Sequence, residues 1–438
     1  MFGRFDLSKT IMSPIASKKV ALIQSPADTD AYKFSMAQYA LHRAPTAMVE
    51  YKFVNRSPID LRPLRDEIRE QINLLADLKY TDAEIAHLRR HSWFTEDFLL
   101  FLKLFRLDPS SVVISEIDGK LDIRVHGPWI HRIFFEIHIL SIITELHFQR
   151  TVAAADRAAA YNAGIAKLRD ELKIVKQFVA KHGAAKPFRL IEMGTRRRVS
   201  REYQARVLDV LKDEIPEQLF GTSNVLFSLE KDLRDVGTMA HEFLQVHQQI
   251  GPRLENAQKA ALEGWVQEFR GNLGYALTDV ITYDAFLRDF DLYYAKLFDG
   301  VRHDSGDPFV FAEKTITKFK SFGIDPASKV AVFSDSLNLR KALLLCEAYE
   351  GKLRTSYGIG TSLTASIPGY KALNVVMKPL NVNGRAVAKI SDAPGKSICD
   401  DKEFLGYLSS VYGVGTPSAP VSFDAETARL HEEFLKNT

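Results

Sequence analysis

The sequence predicts an α/β architecture, an irregular α/β barrel preceded by an N-terminal α+β domain, and three observations carry that prediction. Beyond residue 187, short apolar or β-branched runs at 188–193, 277–282, 329–334 and 373–377 alternate with helical stretches such as 200–211 and 339–348. Strands alternating with helices read as parallel βαβ units, and this many suggest a barrel; the less regular stretch 251–274 makes it an imperfect one. Before residue 150 the pattern is mixed, and Val49-Glu50-Tyr51-Lys52-Phe53-Val54 and Leu121-Asp122-Ile123-Arg124-Val125 alternate as half-buried strands do. Between the two regions, 151–182 is rich in alanine and sets Leu168, Leu172, Val175 and Val179 on one helical face.

Taken in order, residues 1–20 read as an N-terminal extension that lacks the apolar core and cleavage site of a secretory signal. Residues 21–150 form the α+β domain. There Thr81-Asp82-Ala83-Glu84 and Thr95-Glu96-Asp97-Phe98 have the form of helix starts, a hydroxyl followed by acids and then apolar residues. Residues 151–186 are expected to be a bridging helix with Gly183 as its C-cap. The barrel is placed at 187–400 and a C-terminal helical tail at 401–438.

A chain of 438 residues exceeds what one hydrophobic core usually organises. Its 46% hydrophobic and 26% charged residues are those of an ordinary globular protein. A net charge of +3, evenly spread, does not suggest nucleic acid as a partner but suits small anionic substrates. No segment approaches the length of a membrane span, so no membrane partner is expected. Cys346 and Cys399 fit neither a metal spacing nor a disulfide framework, which favours a reducing compartment, and the cytoplasm is the expected location.

Several familiar signatures fail on their spacing. His241-Glu242 with His247 suggests a zinc-protease helix, but six residues turn roughly 240° around a helix and separate the imidazoles. Gly358-Ile359-Gly360 lacks the third glycine of a dinucleotide fingerprint, because position 363 is Leu363. Gly395-Lys396-Ser397 ends like a P-loop, but the first glycine would fall on Ile390. His303-Asp304 has no second His-Asp pair to make a metal phosphohydrolase.

What remains suits phosphate and ribose. Gly358-Ile359-Gly360-Thr361-Ser362 offers unobstructed backbone amides and two hydroxyls, as a terminal phosphate requires, although an ordinary Gly-rich turn has the same composition. Arg302, Asp304 and Asp307 pack opposite charges around Ser305-Gly306, costly without a ligand to organise them, which favours a ligand site over a surface salt-bridged turn. In Thr195-Arg196-Arg197-Arg198 an arginine can grip a carboxylate or phosphate with paired hydrogen bonds, and Arg196 is taken as the ligand-facing one. His241 lies in open Gly-Thr-x-Ala surroundings that admit a phosphoryl group, but a lone histidine is more often structural.

Together with Thr29-Asp30-Ala31-Tyr32-Lys33, Met36 and Gly221-Thr222-Ser223-Asn224, these runs resemble the nicotinate phosphoribosyltransferase family over nearly all of 22–400. The resemblance implies the type II phosphoribosyltransferase fold, a homodimer with composite sites, and the substrates nicotinate, phosphoribosyl pyrophosphate and ATP, with Mg²⁺. It implies that His241 becomes a phosphohistidine. It further implies that Tyr32 stacks on the pyridine ring from the neighbouring subunit, and that Arg196 and Arg302 line the base and phosphate region. Asp304 and Asp307 would then lie at the ribose and pyrophosphate, while Gly358, Gly360 and Thr361 cradle the 5′-phosphate. Asp279 and Ser305 complete the substrate-binding candidates; no residue is assigned as a metal ligand.

Departure of pyrophosphate leaves positive charge at the anomeric carbon, so the reaction needs an anion beside the sugar, supplied by Asp304, and cations on the leaving group. Two alternatives stand beside this one. Nicotinamide phosphoribosyltransferases resemble the chain too, but carry an acid where it has Ser223, which favours nicotinate. A catalytically silent nucleotide sensor would not need Asp304 and His241.

Overall fold

The computed structural model describes residues 20–392, 397, 399–415 and 420–437, so the expected extension lies outside the described residues up to position 19. Two sheets organise them. One has five strands in the order β11-β10-β1-β3-β2: β1 (Met48–Asn55), β2 (Val112–Ile117), β3 (Lys120–Pro128), β10 (Val375–Val382) and β11 (Arg385–Ala386). Its pairings are antiparallel. In β1, Val49, Tyr51 and Phe53 are buried and alternate with more exposed neighbours, as the sequence predicts.

The other sheet has six parallel strands in the order β5-β4-β9-β8-β7-β6. They are β4 (Leu190–Glu192), β5 (Leu219–Thr222), β6 (Tyr275–Leu277), β7 (Gly300–His303), β8 (Val330–Phe333) and β9 (Arg354–Ile359). The edge strands β5 and β6 are joined by irregular chain. Thr222 N donates to Arg234 O and Val236 N to Thr222 O, at 3.1 and 2.9 Å, while Thr238 Oγ1 donates to Tyr275 O at 2.9 Å. One extended segment thus satisfies both edges where a regular strand is missing, which is what makes the barrel irregular.

Helices return the chain from each strand to the next, and their caps are written in the sequence. Ser200, Asn224, Thr282, Asp307 and Asn338 each accept a backbone N–H at the start of a helix, and Thr81 and Glu84 form a reciprocal capping box. Thr95 begins its helix without a side-chain cap. The helix Phe135–Thr151 is buried on nearly every side, because it packs between β10 and the Thr195–Arg197 turn.

Three expectations are corrected. The run 373–377 is not a barrel strand: β10 pairs with β1, and with β11 it completes the N-terminal sheet. A β-branched run looks the same in either sheet, and periodicity does not choose between them. The run 277–282 supplies only the end of β6 before the chain turns away. The helix Arg157–His182 buries Leu168, Leu172, Val175 and Phe178 against the helices Arg201–Glu214 and Leu339–Tyr349, so it belongs to the outer layer of the barrel rather than bridging two regions. The tail forms the helices Lys402–Val411 and Ala425–Lys436.

Candidate active site

In a parallel barrel the loops after the strands all open at one rim, and chemistry collects there. This chain follows that rule at each strand. Arg196 lies after β4, Ser223 after β5, Asp279 after β6, Asp304 and Ser305 after β7, Ser334 after β8, and Gly360 and Thr361 after β9.

At the centre is a charged knot around His241, the first residue of the helix His241–Ile250. Its Nε2 lies 2.9 Å from Asp279 Oδ1, 2.8 Å from Lys389 Nζ and 3.6 Å from Asp304 Oδ2. Asp279 Oδ2 in turn accepts from Lys389 Nζ at 2.8 Å and from Ser305 Oγ at 2.7 Å. Arg302 reaches up from β7, donating to Asp304 Oδ1 at 3.1 Å and to Ser334 Oγ at 2.8 Å; Ser334 Oγ donates to Asp304 Oδ1 at 2.8 Å.

The electrostatics follow from these contacts. Burial, and after it the Lys389 ammonium, push the His241 imidazole down to about 4, so it is neutral with a lone pair at physiological pH. Burial opposes ionisation of Asp279, but the contacts with His241 and Lys389 outweigh it and hold the carboxyl well below its ordinary value. Asp304 is likewise held low against burial, first by Arg302. The knot therefore presents two carboxylates, two cations and a neutral imidazole.

Beside it is a second group. Ser223 Oγ donates to Asp30 Oδ1 at 2.8 Å, and the Tyr32 hydroxyl also bonds Asp30. Burial raises the Asp30 carboxyl and raises the Tyr32 phenol well above its ordinary value. The half-buried Arg196 guanidinium feels Tyr32, Glu136, Asp30 and Asp304, which raise its pKa against burial. Among the described residues it has no hydrogen-bond or ion-pair partner. Its two neighbours are engaged: Arg197 Nε donates to Val375 O at 3.1 Å, and the fully buried Arg198 forks onto both oxygens of Asp28 at 2.7 and 2.6 Å. Of the three arginines, Arg197 and Arg198 are thus held by protein acceptors, which leaves the guanidinium of Arg196 with hydrogen-bonding capacity to spare.

Other candidates are placed differently. Asp307 caps the helix Pro308–Ser321 with one oxygen and bonds His431 Nε2 at 2.7 Å with the other, so it fastens the C-terminal helix and does not reach the knot. Tyr32 is buried within its own chain, where the bond from Ala31 N to Ser223 O at 2.7 Å fixes the start of its helix beside the barrel. Gly358 and Gly360 have a packing role: a Cβ on them would stand 2.5 Å from Met193 Sδ and 2.8 Å from Met193 O. Thr361 keeps its hydroxyl free of protein partners among the described residues.

Sequence reading missed Lys389 and Lys378. Each is a lysine inside an apolar run, Val387-Ala388-Lys389-Ile390 and Val376-Met377-Lys378, and a buried lysine in such a run is the signal that was there to read. It also missed the buried cluster in which Lys33 Nζ pairs with Glu136 Oε2 at 2.7 Å and Glu242 Oε2 at 2.6 Å.

Fold and rim together define a barrel enzyme that binds anionic substrates through cations gathered at the strand ends. Comparison with known proteins gives that class a family. Residues 27–144 match the nicotinate phosphoribosyltransferase N-terminal domain, and residues 188–416 match the nicotinate phosphoribosyltransferase (NAPRTase) family. The nicotinate phosphoribosyltransferase of Pseudomonas savastanoi is 47% identical over 402 residues, covering 91% of this chain and 97% of that one. Nicotinate phosphoribosyltransferase 1 of Pseudomonas aeruginosa is 46% identical over 396 residues, covering 90% and 97%. The crystal structure of the Vibrio cholerae nicotinate phosphoribosyltransferase superposes with a TM-score of 0.85 at 36% identity, covering 95% of this chain and 97% of that one. The chain belongs to the nicotinate phosphoribosyltransferase family.

Proposed function

We propose that this protein is a nicotinate phosphoribosyltransferase working in NAD biosynthesis, in the Preiss–Handler salvage route. The bond that forms joins the pyridine nitrogen to C1 of phosphoribosyl pyrophosphate; the bond that breaks is C1–O, and pyrophosphate leaves with the electron pair. The observation that supports this reading best is the partnerless Arg196 beside Tyr32 and Ser223, a cation and an aromatic ring suited to a flat carboxylate. Asp304, held ionised, faces the positive charge that develops on the sugar. Arg302 and Lys389 lie beside it, where they can take up charge on the departing pyrophosphate.

ATP enters this reading as a co-substrate. The neutral His241 imidazole attacks the γ-phosphorus, ADP leaves, and hydrolysis of the phosphohistidine later returns the imidazole and phosphate. A phosphoryl group there adds negative charge beside Asp279 and Lys389 and so resets affinity for pyrophosphate. Asp279 and Asp304 are carboxylates held ionised, a hard oxygen set that fits Mg²⁺, which when bound would neutralise phosphate charge. A homodimer and a cytoplasmic location complete the proposal.

The test is turnover. Purified protein with Mg²⁺, phosphoribosyl pyrophosphate and nicotinate should yield nicotinate mononucleotide by chromatography, faster when ATP is added. Acceptance of nicotinamide in place of nicotinate would overturn the substrate assignment, and sedimentation at equilibrium checks the dimer.

A further inference from the structure

Apart from the knot around His241, His87, His91 and Asp235 bring three ligand atoms together, all within 4.8 Å of one another. His87 lies in the last turn of the helix Asp82–Arg89 and His91 two residues past its end, and both imidazoles point to the same side of the N-terminal domain, onto Asp235. Asp235 comes from the barrel, in the segment that fills the gap between β5 and β6, where it bridges Thr222. Both imidazoles converge on one oxygen: His87 Nε2 is 2.9 Å and His91 Nε2 2.5 Å from Asp235 Oδ2. A fourth donor, Ser228 Oγ, lies 2.9 Å from His87 Nε2. His87 Nδ1 is buried without a hydrogen-bond partner, so the ring is oriented by what its Nε2 meets. The side chains of His87 and Asp235 are 4% and 5% exposed, while that of His91 is 19% exposed and leaves a route for an ion.

We propose that His87, His91 and Asp235 form a structural site for a divalent transition-metal ion of the zinc class. Two imidazole nitrogens with one carboxylate oxygen are a borderline donor set that zinc and cobalt take, whereas magnesium and calcium ask for oxygen alone. A tetrahedral ion with bonds of about 2.0–2.1 Å keeps its ligand atoms about 3.3 Å apart. Each imidazole nitrogen therefore needs to draw back from Asp235 Oδ2 by less than about 1 Å, with Ser228 Oγ or a water in the fourth position. On binding, one ion replaces the N–H protons that the imidazoles now share with Asp235. It fastens the N-terminal domain to the segment that closes the barrel and leads on to His241.

The experiment uses the full chain, stripped of metal with a chelator and titrated with Co²⁺, whose visible absorption intensifies in tetrahedral sites. The expected result is a saturable band at about one ion per chain. The band should persist in His241→Ala, which breaks the other His/Asp cluster, and be lost in His91→Ala. Because His91 is partly exposed, that variant is expected to fold, which circular dichroism checks; Asp235→Asn, if it also folds, should lose the band too. Absence of the band from the unmutated protein, or its persistence in His91→Ala, overturns the proposal.

Discussion

Lys389 Nζ stands 2.8 Å from His241 Nε2 and 2.8 Å from Asp279 Oδ2, so one ammonium adds to burial in keeping the imidazole neutral and also favours the ionised carboxylate. The same nitrogen of His241 is 2.9 Å from Asp279 Oδ1. That contact would favour a protonated ring, and Lys389 is the charge that opposes it.

Removing that charge is the first prediction. In Lys389→Met the His241 imidazole should titrate above its present value of about 4; the rise is partial, because burial remains the larger cause. Turnover should fall by roughly 10²-fold, the scale of losing one charged stabiliser at a reacting phosphate. Imidazole NMR signals followed against pH give the first quantity and steady-state assays the second. An unchanged His241 titration would show that Lys389 does not set its protonation.

His241 itself gives the second. If it accepts the phosphoryl group, γ-labelled ATP should leave an acid-labile, base-stable label that is absent from His241→Ala. That variant should keep some ATP-independent synthesis of nicotinate mononucleotide, because the proposed glycosyl transfer draws on Asp304 and Arg302 and not on the phosphohistidine. Label persisting in the variant would place the acceptor elsewhere.

How much of this was legible beforehand divides along physical lines. The cap at Thr81 and the alternation in β1 are local properties, and each was readable because the residues that decide them are neighbours in sequence. The motifs at Arg196, Ser223, Asp279 and Asp304 were readable because strand ends in a parallel barrel share a rim whatever the strand order. β7 was not seen, since Gly300-Val301-Arg302-His303 carries functional polar residues in place of an apolar run. The pairing of β10 with β1 joins residues more than 300 positions apart, and nothing local specifies it. Asp307 misled for a related reason: an acid before Pro308 reads equally as a ligand and as a helix cap, and only the distant His431 decides between them.

A third prediction concerns pH and stability. His247 is buried with Nδ1 2.7 Å from Phe243 O and Nε2 2.9 Å from the Tyr39 hydroxyl, and burial pushes it down from 6.5 to about 4. Its folded pKa is depressed, so the unfolded chain takes up a proton that the native state refuses. The stability this histidine confers is therefore complete above pH 6.5 and declines as pH falls from 6.5 toward 4. The full window corresponds to about 3 kcal/mol. His247→Gln does not titrate, so the stability gap between it and the unmutated protein should narrow by up to that amount between pH 7 and pH 4. Urea unfolding at the two pH values measures it, and a gap that stays constant would contradict a buried neutral His247.

The last prediction tests base selection. Ser223 Oγ is already spent on Asp30 Oδ1, at 2.8 Å, so its hydroxyl offsets that carboxyl rather than pointing at a ligand unaided. Ser223→Asp would set a second carboxyl against Asp30 in a buried place, and two such groups repel each other and any incoming carboxylate. The Michaelis constant for nicotinate should rise sharply, by tenfold or more on the order of 1.4 kcal/mol, with a much smaller effect on that for phosphoribosyl pyrophosphate. Ser223→Ala separates the two contributions. It removes the donor to Asp30 without adding charge, and should raise the nicotinate constant by less. Replacing Arg196 with Met should weaken nicotinate at least as strongly as Ser223→Asp if its guanidinium, without a hydrogen-bond partner among the described residues, is the cation that meets the carboxylate. If Ser223→Asp leaves the preference for nicotinate over nicotinamide unchanged while Arg196→Met abolishes it, the ring substituent is read by the arginine alone and Ser223 serves only to hold Asp30.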